Sequence, residues 1–386
     1  MKLSRMLIFF AIVLLIYSIG NIYLYLKGYN AIPALRSNRG IYATVFFALA
    51  FIFIIAKVLE SRHSSLLTDI LNIMGGFWLA IMLYGFIFFI LSDIIYLVLK
   101  ITGIMSPANA LAYRKWAFII TASTSMVLIL AGFINAVIPS VKEYNIKINK
   151  PAGEIKTLRI AAVSDIHLGS VIRKRSMKKL SSILKDLKPD LILLLGDIVD
   201  GEIGPVLRGD LLSYFKYPES RFGMLAISGN HEFIGGAKRT IPYIESKGIR
   251  LLKDEMVTIG GDIQLIGRND LSSESFYRQK RMTLKDLLSK ADTSKPIILL
   301  DHQPAHLDDV AKHSVDLQLS GHTHNGQMWP LNYITAAVYE LSYGYMSKGN
   351  TQFIVSSGYG LWGPRVRLGS RSEVMLINIE FTGASN

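Results

Sequence analysis

The sequence predicts a helical membrane-spanning part followed by an α/β domain. Three observations predict it: an uneven charge distribution, four long apolar runs, and short apolar strands that each stop at a cluster of metal-binding side chains. Residues 1–139 hold 10 Lys/Arg and 3 Asp/Glu, whereas residues 140–386 hold 32 and 26. The chain is therefore divided into a transmembrane region over 1–139, a polar connector over 140–157 and a second domain over 158–386.

In the first part, apolar runs cover about Met6–Leu26, Gly40–Lys57, Leu71–Leu99 and Trp116–Val137. Each is near or above the roughly 18–20 residues that span a hydrocarbon core. A cleaved signal peptide is the alternative for the first run, with Ser18-Ile19-Gly20 as a small-x-small site, but apolar character continues past it through Leu26 and further spans follow. Four spans predict a multi-pass cell-membrane protein with the N-terminus and the second domain on one side. Seven Lys/Arg near the span ends on that side against six on the other leave the side itself unassigned. Asp93 lies near one end of the third run, where an ionisable group is either functional or interfacial.

The chain has no cysteine, which removes disulfides, thiolate metal sites and cysteine nucleophiles. Its net charge of +13 suits anionic headgroups or phosphorylated substrates. No zinc-finger spacing and no basic-aromatic signature points to nucleic acid, so no duplex partner is expected.

In the second part, Leu158–Val163, Leu191–Leu195, Met224–Ile227 and Pro296–Leu300 are apolar runs of the pattern shown by strands covered on both faces, and Val315–Leu319 is a fifth strand-like run. Helices are predicted at 174–187, 236–246 and 284–290. A strand pair is predicted at 256–259 and 263–266, and late strands at 353–355 and 374–377. The five runs end at Ser164-Asp165-Ile166-His167, Gly196-Asp197, Gly229-Asn230-His231-Glu232, Asp301-His302 and Gly321-His322-Thr323-His324. Of eight histidines, five fall in these motifs. Ligands at the carboxyl ends of neighbouring strands converge. Donors two residues apart in extended backbone, as in Asp165/His167 and His322/His324, face alike.

Carboxylate, imidazole and amide donors sharing one bridging aspartate can hold two metal ions roughly 3.5–4 Å apart, close enough to clamp a phosphate. Asp197 is the natural bridge. Asn230 offers a neutral carbonyl that lowers the site's negative charge, and His231 beside it is better used as a hydrogen-bond donor to a transition-state phosphate or leaving oxygen. Any single motif would be loop or cap chemistry; five in order, each after an apolar strand, predict a dinuclear site.

These motifs, D-x-H, GD, GNH(E/D), H and GHxH, resemble those of the calcineurin-like metallophosphoesterases over about residues 157–382. With the preceding spans the chain is similar to bacterial membrane-associated phosphodiesterases of that superfamily, some of which cleave a nucleotide-lipid pyrophosphate. The resemblance implies a four-layer αββα sandwich. It also implies one metal on Asp165, His167, Asp197 and His324, a second on Asp197, Asn230, His302 and His322, and His231 as the catalytic histidine. Oxygen and imidazole donors without sulfur suit manganese, iron, zinc or magnesium, and family analogy selects manganese. Attack on phosphorus by a metal-bridging hydroxide is the mechanism implied.

Other residues near the motifs carry weaker signals. Asp301 either orients His302 or caps its strand, and His306 and Glu232 are read as supporting residues. Arg365 and Arg367, in the glycine-rich stretch Ser357–Arg367, are candidates for a second phosphate or a headgroup. The cluster Arg173–Lys179 is either a solvated helix face or a contact with headgroups. The expected protein is a membrane-anchored phosphoesterase acting on a phosphodiester or pyrophosphate of a lipid-linked or nucleotide-lipid substrate. The alternatives are a non-catalytic membrane receptor or scaffold that keeps the fold, and a phosphoprotein phosphatase.

Overall fold

The computed structural model describes residues 3–383. The chain separates into two compact units, Met1–Phe133 with Gly363–Val366, and Ile134–Trp362 with Arg367–Asn386.

The first unit contains α1 (Leu3–Ala31), the short α2 (Pro33–Ser37), α3 (Arg39–Arg62) and α4 (Leu66–Ile101), with α5 (Ala110–Val137) running into the second unit. Among the described residues, α1, α3, α4 and α5 are long and apolar enough to cross a membrane. They correspond to the four predicted runs, each extended by several residues. Ser65 starts α4 with a capping box, accepting from the Thr68 backbone N–H while Thr68 Oγ1 accepts from the Ser65 N–H. Asp93 is tied to α1: it forms an ion pair with Lys27 and accepts from the Tyr23 hydroxyl at 2.7 Å.

The second unit is built on two six-stranded sheets. The chain passes through β1 (Ser140–Ile148), β2 (Thr157–Val163), α6 (Lys174–Leu187), β3 (Leu191–Leu195), α7 (Gly204–Gly209), β4 (Met224–Ile227), α8 (Asn230–Ile234), α9 (Ala237–Ser246) and β5 (Arg250–Leu251). It continues through β6 (Glu255–Ile259), β7 (Ile263–Gly267), α10 (Ser272–Tyr277), α11 (Leu284–Leu288), β8 (Ile297–Leu300), α12 (Leu307–Ala311) and β9 (Leu317–Ser320). Last come α13 (Leu331–Val338), β10 (Gly344–Lys348), β11 (Thr351–Val355) and β12 (Glu373–Phe381). The strand orders are β1-β12-β2-β3-β4-β5 and β10-β11-β9-β8-β7-β6, with β2, β3 and β4 parallel to one another and β7, β8, β9 and β11 likewise.

The continuous apolar runs are explained by which core each residue enters. Leu191, Leu193 and Leu195 of β3 pack between the sheets with Leu265, Ile298, Leu300 and Leu319, while Ile192 and Leu194 face Met177, Leu180 and Leu184 of α6. On the far side, Ile297 and Leu299 of β8 meet Leu284 and Leu287 of α11 and Leu307 and Val310 of α12. Helices, two sheets and helices make the four layers expected, and strands buried on both faces leave only their ends for polar function.

Residues 140–148 correct the expected connector: they form β1, paired in parallel with β12 over the full length of both strands. Ser-Val-Lys-Glu-Tyr-Asn-Ile-Lys-Ile is an edge strand with most of its side chains in solvent, so its sequence is as polar as a linker. β10 and α13 were also not anticipated; both bury little.

Candidate metal centre

All five motifs lie at the carboxyl ends of β2, β3, β4, β8 and β9. The β2 and β3 ends stay joined beyond the strands: Asp165 N–H donates to the Gly196 carbonyl at 3.1 Å and His167 N–H to the Asp197 carbonyl at 2.9 Å. Here the backbone turns sharply. Asp165, His167, Asp197, His322 and His324 have φ of +52°, +50°, +50°, +72° and +50°. This left-handed conformation costs roughly 1–2 kcal/mol for a residue with a side chain. Five such residues clustered at strand ends mean that the surrounding hydrogen bonds hold them against that cost, as happens where side chains are aimed at a function.

Two donor sets result. In one, His324 Nε2 lies 3.3 Å from Asp165 Oδ1 and 3.0 Å from His167 Nε2. In the other, His302 Nε2 lies 3.1 Å from Asp197 Oδ2, and Asn230 Oδ1 and His322 Nδ1 approach to 2.8 Å. Asp197 Oδ2 is also 3.8 Å from His167 Nε2, so a single carboxylate reaches both sets. Within the Asp165/His167/His324 group and the Asp197/His302/His322 group, the donor atoms lie within 4.8 Å of one another. The seven expected donors are thus brought together.

The donor chemistry fits divalent cations. His302 Nδ1 donates to the Leu195 carbonyl at 2.7 Å, which turns Nε2 inward, where it is buried and has no hydrogen-bond partner among the described residues. A buried imidazole nitrogen held 3.1 Å from a buried carboxylate oxygen is where a cation fits. The electrostatics agree. Burial opposes ionisation of Asp197, yet the His302 and His231 imidazoles hold it well below the usual carboxylate range. Burial likewise opposes charge on His302, but Asp197 and Asp165 drive it well above its ordinary value. Ionised carboxylates here demand positive charge.

Two supporting residues organise the donors. Glu232 is fully buried, and its carboxylate accepts from the backbone N–H groups of Asp197 at 3.0 Å, Val199 at 2.9 Å and Gly229 at 2.7 Å, pinning the second motif to the third. Asp200, which the sequence reading did not single out, places Oδ1 3.2 Å from both His167 Nδ1 and His231 Nδ1. The only signal for it was a second carboxylate three residues after Asp197. Although burial works against it, the charges of Asp197 and Asp200 push His231 up to about 9.

Arg367 differs from expectation. It is completely buried and donates to the Gly360 carbonyl at 2.7 Å and the Gly358 carbonyl at 3.2 Å, with Nη2 3.2 Å from His324 Nδ1. It stands behind His324 and is closed off from solvent, which a phosphate contact would require. Arg365 groups with the helical unit, its guanidinium 5.6 Å from the centre of the Phe133 ring. Asp301 neither orients His302 nor caps a strand: Arg268 donates to it at 3.2 Å and Arg281 at 3.0 Å. His306 begins α12, exposed and apart from the donors.

Close packing against the first motif makes the fifth intolerant of bulk. A Cβ at Gly321 would overlap Ser164 Oγ and Asp165 Oδ2. Gly321→Ala is therefore expected to displace Asp165 and lower divalent-metal affinity by about 10–100-fold, the range for disturbing a ligand's support; calorimetric titration of Mn²⁺ checks this, and wild-type affinity would contradict it.

The sequence pattern of the calcineurin-like phosphoesterases matches residues 158–326. A metallophosphoesterase of Helicobacter pylori is 33% identical over 246 residues, covering 62% of this chain and 64% of that one. One of Aquifex aeolicus is 31% identical, covering 63% of this chain and 92% of its own. A Danio rerio protein named as a transmembrane protein with metallophosphoesterase domain is 30% identical over 67% of this chain and 60% of that one. The chain belongs to the calcineurin-like metallophosphoesterases, a family of phosphoric ester hydrolases. It spans less than two thirds of the length of the Helicobacter relative.

Proposed function

We propose that this protein is a membrane-anchored hydrolase of phosphodiester or pyrophosphate bonds, working with two divalent cations, manganese foremost, on a lipid-linked or nucleotide-lipid substrate. One observation carries the hydrolase reading: Asp197 Oδ2 lies within 3.8 Å of His167 and 3.1 Å of His302, one from each donor set, in the lining of a cavity that also includes His231. Asp165, His167, Asp197 and His324 would hold one cation, and Asp197, Asn230, His302 and His322 the other. Bound there, divalent ions supply Lewis acidity and ionised water near neutral pH.

The protein's own groups do the rest. Asp197 is positioned by the His231 backbone N–H, which donates to Oδ1 at 2.8 Å. His231, partly exposed to the cavity and with Nδ1 3.2 Å from Asp200, is placed to donate to a phosphoryl or leaving-group oxygen as negative charge builds. The lipid element is supported by the four apolar helices, since a tether raises the effective concentration of a surface-bound substrate.

Purified full-length protein, stripped with chelator and resupplied with Mn²⁺, Mg²⁺, Zn²⁺ or Fe²⁺, is expected to hydrolyse bis(p-nitrophenyl) phosphate, with Mn²⁺ most effective. No turnover with any of these ions would overturn the proposal. His231→Gln is expected to lower kcat by about 10²–10³-fold, the loss typical of one transition-state donor, with metal affinity retained. Unchanged kcat would remove His231 from the chemistry.

A further inference from the structure

We propose that α13, with Trp362 beside it, is the binding surface for the apolar portion of the phosphoester, so that the substrate is an amphiphile whose hydrocarbon lies against this wall. The proposal rests on the hydrolase reading above and assigns the residues that receive the apolar part of the substrate.

No Asp, Glu, Lys or Arg occurs from Leu317 through Tyr339. Within that stretch α13, Leu-Asn-Tyr-Ile-Thr-Ala-Ala-Val, buries none of its residues. Tyr333, Ile334 and Val338 are 65%, 59% and 69% exposed, and Trp329 and Trp362 are 42% and 44% exposed. An ordinary surface helix turns its apolar face to the core and shows solvent a charged one. This helix shows solvent an apolar face, and contiguous exposed apolar surface of this kind marks a binding site.

Its place relative to the metal donors says what it binds. The cavity lined by Asp197, Asn230, His231, His322 and His324 has a volume of about 380 Å³ and is also lined by Leu331, Ile334, Thr335, Tyr339 and Trp362. That volume lies in the range that accommodates a small organic ligand and exceeds what a phosphate group alone fills. The wall is fixed to the donors at both ends. Gly326, two residues after His324, packs so tightly on the start of α13 that a Cβ there would overlap the Asn332 nitrogen. At the other end the Tyr339 ring stands edge-on to His322, with centroids 6.0 Å apart. Trp362 is held by Gln327, whose amide donates to the Trp362 carbonyl at 3.0 Å and accepts from its N–H at 3.3 Å. A phosphoester bound at the metal donors thus has one side of charged and polar groups and one side of aliphatic and aromatic carbon without a charge. A phosphopeptide or a sugar phosphate would leave its polar remainder against that carbon; an alkyl chain is complementary to it.

The test uses the full chain in phosphatidylcholine nanodiscs with Mn²⁺ and p-nitrophenyl phosphodiesters bearing methyl, butyl or octyl groups. Wild-type kcat/KM is expected to rise at least about tenfold from methyl to octyl, a fraction of what complete burial of the added methylenes would give. Ile334→Ser is expected to cut the octyl-to-methyl ratio at least fivefold. Identical discs make partition into the bilayer common to both proteins. An unchanged ratio overturns the proposal, and equal losses on all three esters assign the wall to another occupant, the bilayer or a second chain, and overturn it too. Calorimetric binding of methyl- and octylphosphonate to the two proteins is read separately from turnover. If no ester is hydrolysed the hydrolase reading fails by itself, while equal octylphosphonate affinity in wild type and Ile334→Ser overturns the wall.

Discussion

Asp197→Asn is expected to abolish turnover, by at least about 10³-fold, because it weakens both cation sites together. The amide keeps the size of the carboxylate and its Oδ1 can still accept from the His231 N–H, so the backbone around it is preserved. What disappears is the negative charge next to His302 and the oxygen pair that reaches toward His167 as well. Divalent metal should accordingly stop protecting the protein against heat. A ligand present at a hundred times its Kd stabilises by about 2.7 kcal/mol, and this increment should be present in wild type and missing in the variant. A variant that still gains thermal stability from Mn²⁺ and hydrolyses phosphodiester at a tenth of the wild-type rate would show that Asp197 is not shared.

Glu232→Ala should have the largest effect on stability. Its carboxylate satisfies three backbone N–H groups in a region with no water-accessible surface of its own. Removal leaves these donors unpaired, at about 1–3 kcal/mol for each unsatisfied group, partly offset because a buried charge is also removed. Burial and the nearby Asp197 charge push Glu232 up to about 7 while the Val199 and Gly229 amides hold it down, so the residue is costly to keep ionised as well as costly to lose. A net loss of about 3 kcal/mol corresponds to a melting temperature roughly 6–12 °C lower for a unit of this size. Glu232→Gln, which retains one acceptor oxygen, should lose less. A melting temperature within a degree or two of wild type for Glu232→Ala would show that the Asp197 and Gly229 turns hold themselves.

The parts legible in the sequence were those where strong local patterns coincide with function. β3 reads directly from Leu191–Leu195, since a strand buried on both faces has nowhere to place a polar residue, and Asp197 follows at once. The same logic located His167, Asn230, His302 and His322. Helix α6 was placed at its observed limits because Met177, Leu180 and Leu184 recur on one face. What the sequence hid depended on partners far along the chain. Arg367 looks like any arginine in a glycine-rich loop, and only the fold shows it buried against Gly358, Gly360 and His324. Asp301 meets Arg268 and Arg281, more than a dozen residues upstream, and nothing local announces them. β1 escaped because an edge strand with most residues in solvent has the composition of a loop, and α13 because an uncharged octet has no polar face to mark it as a surface helix.

The order β1-β12-β2 has a consequence for biosynthesis. The first two strands of the second unit to leave the ribosome are not neighbours; the place between them is filled by residues 373–381, which emerge after every other strand. While translation proceeds, Ile160 and Ile377 cannot meet, and β1 and β2 each present an unpaired backbone edge. The first sheet can therefore close only once the whole polypeptide through Phe381 has cleared the exit tunnel, long after the four described apolar helices have been made.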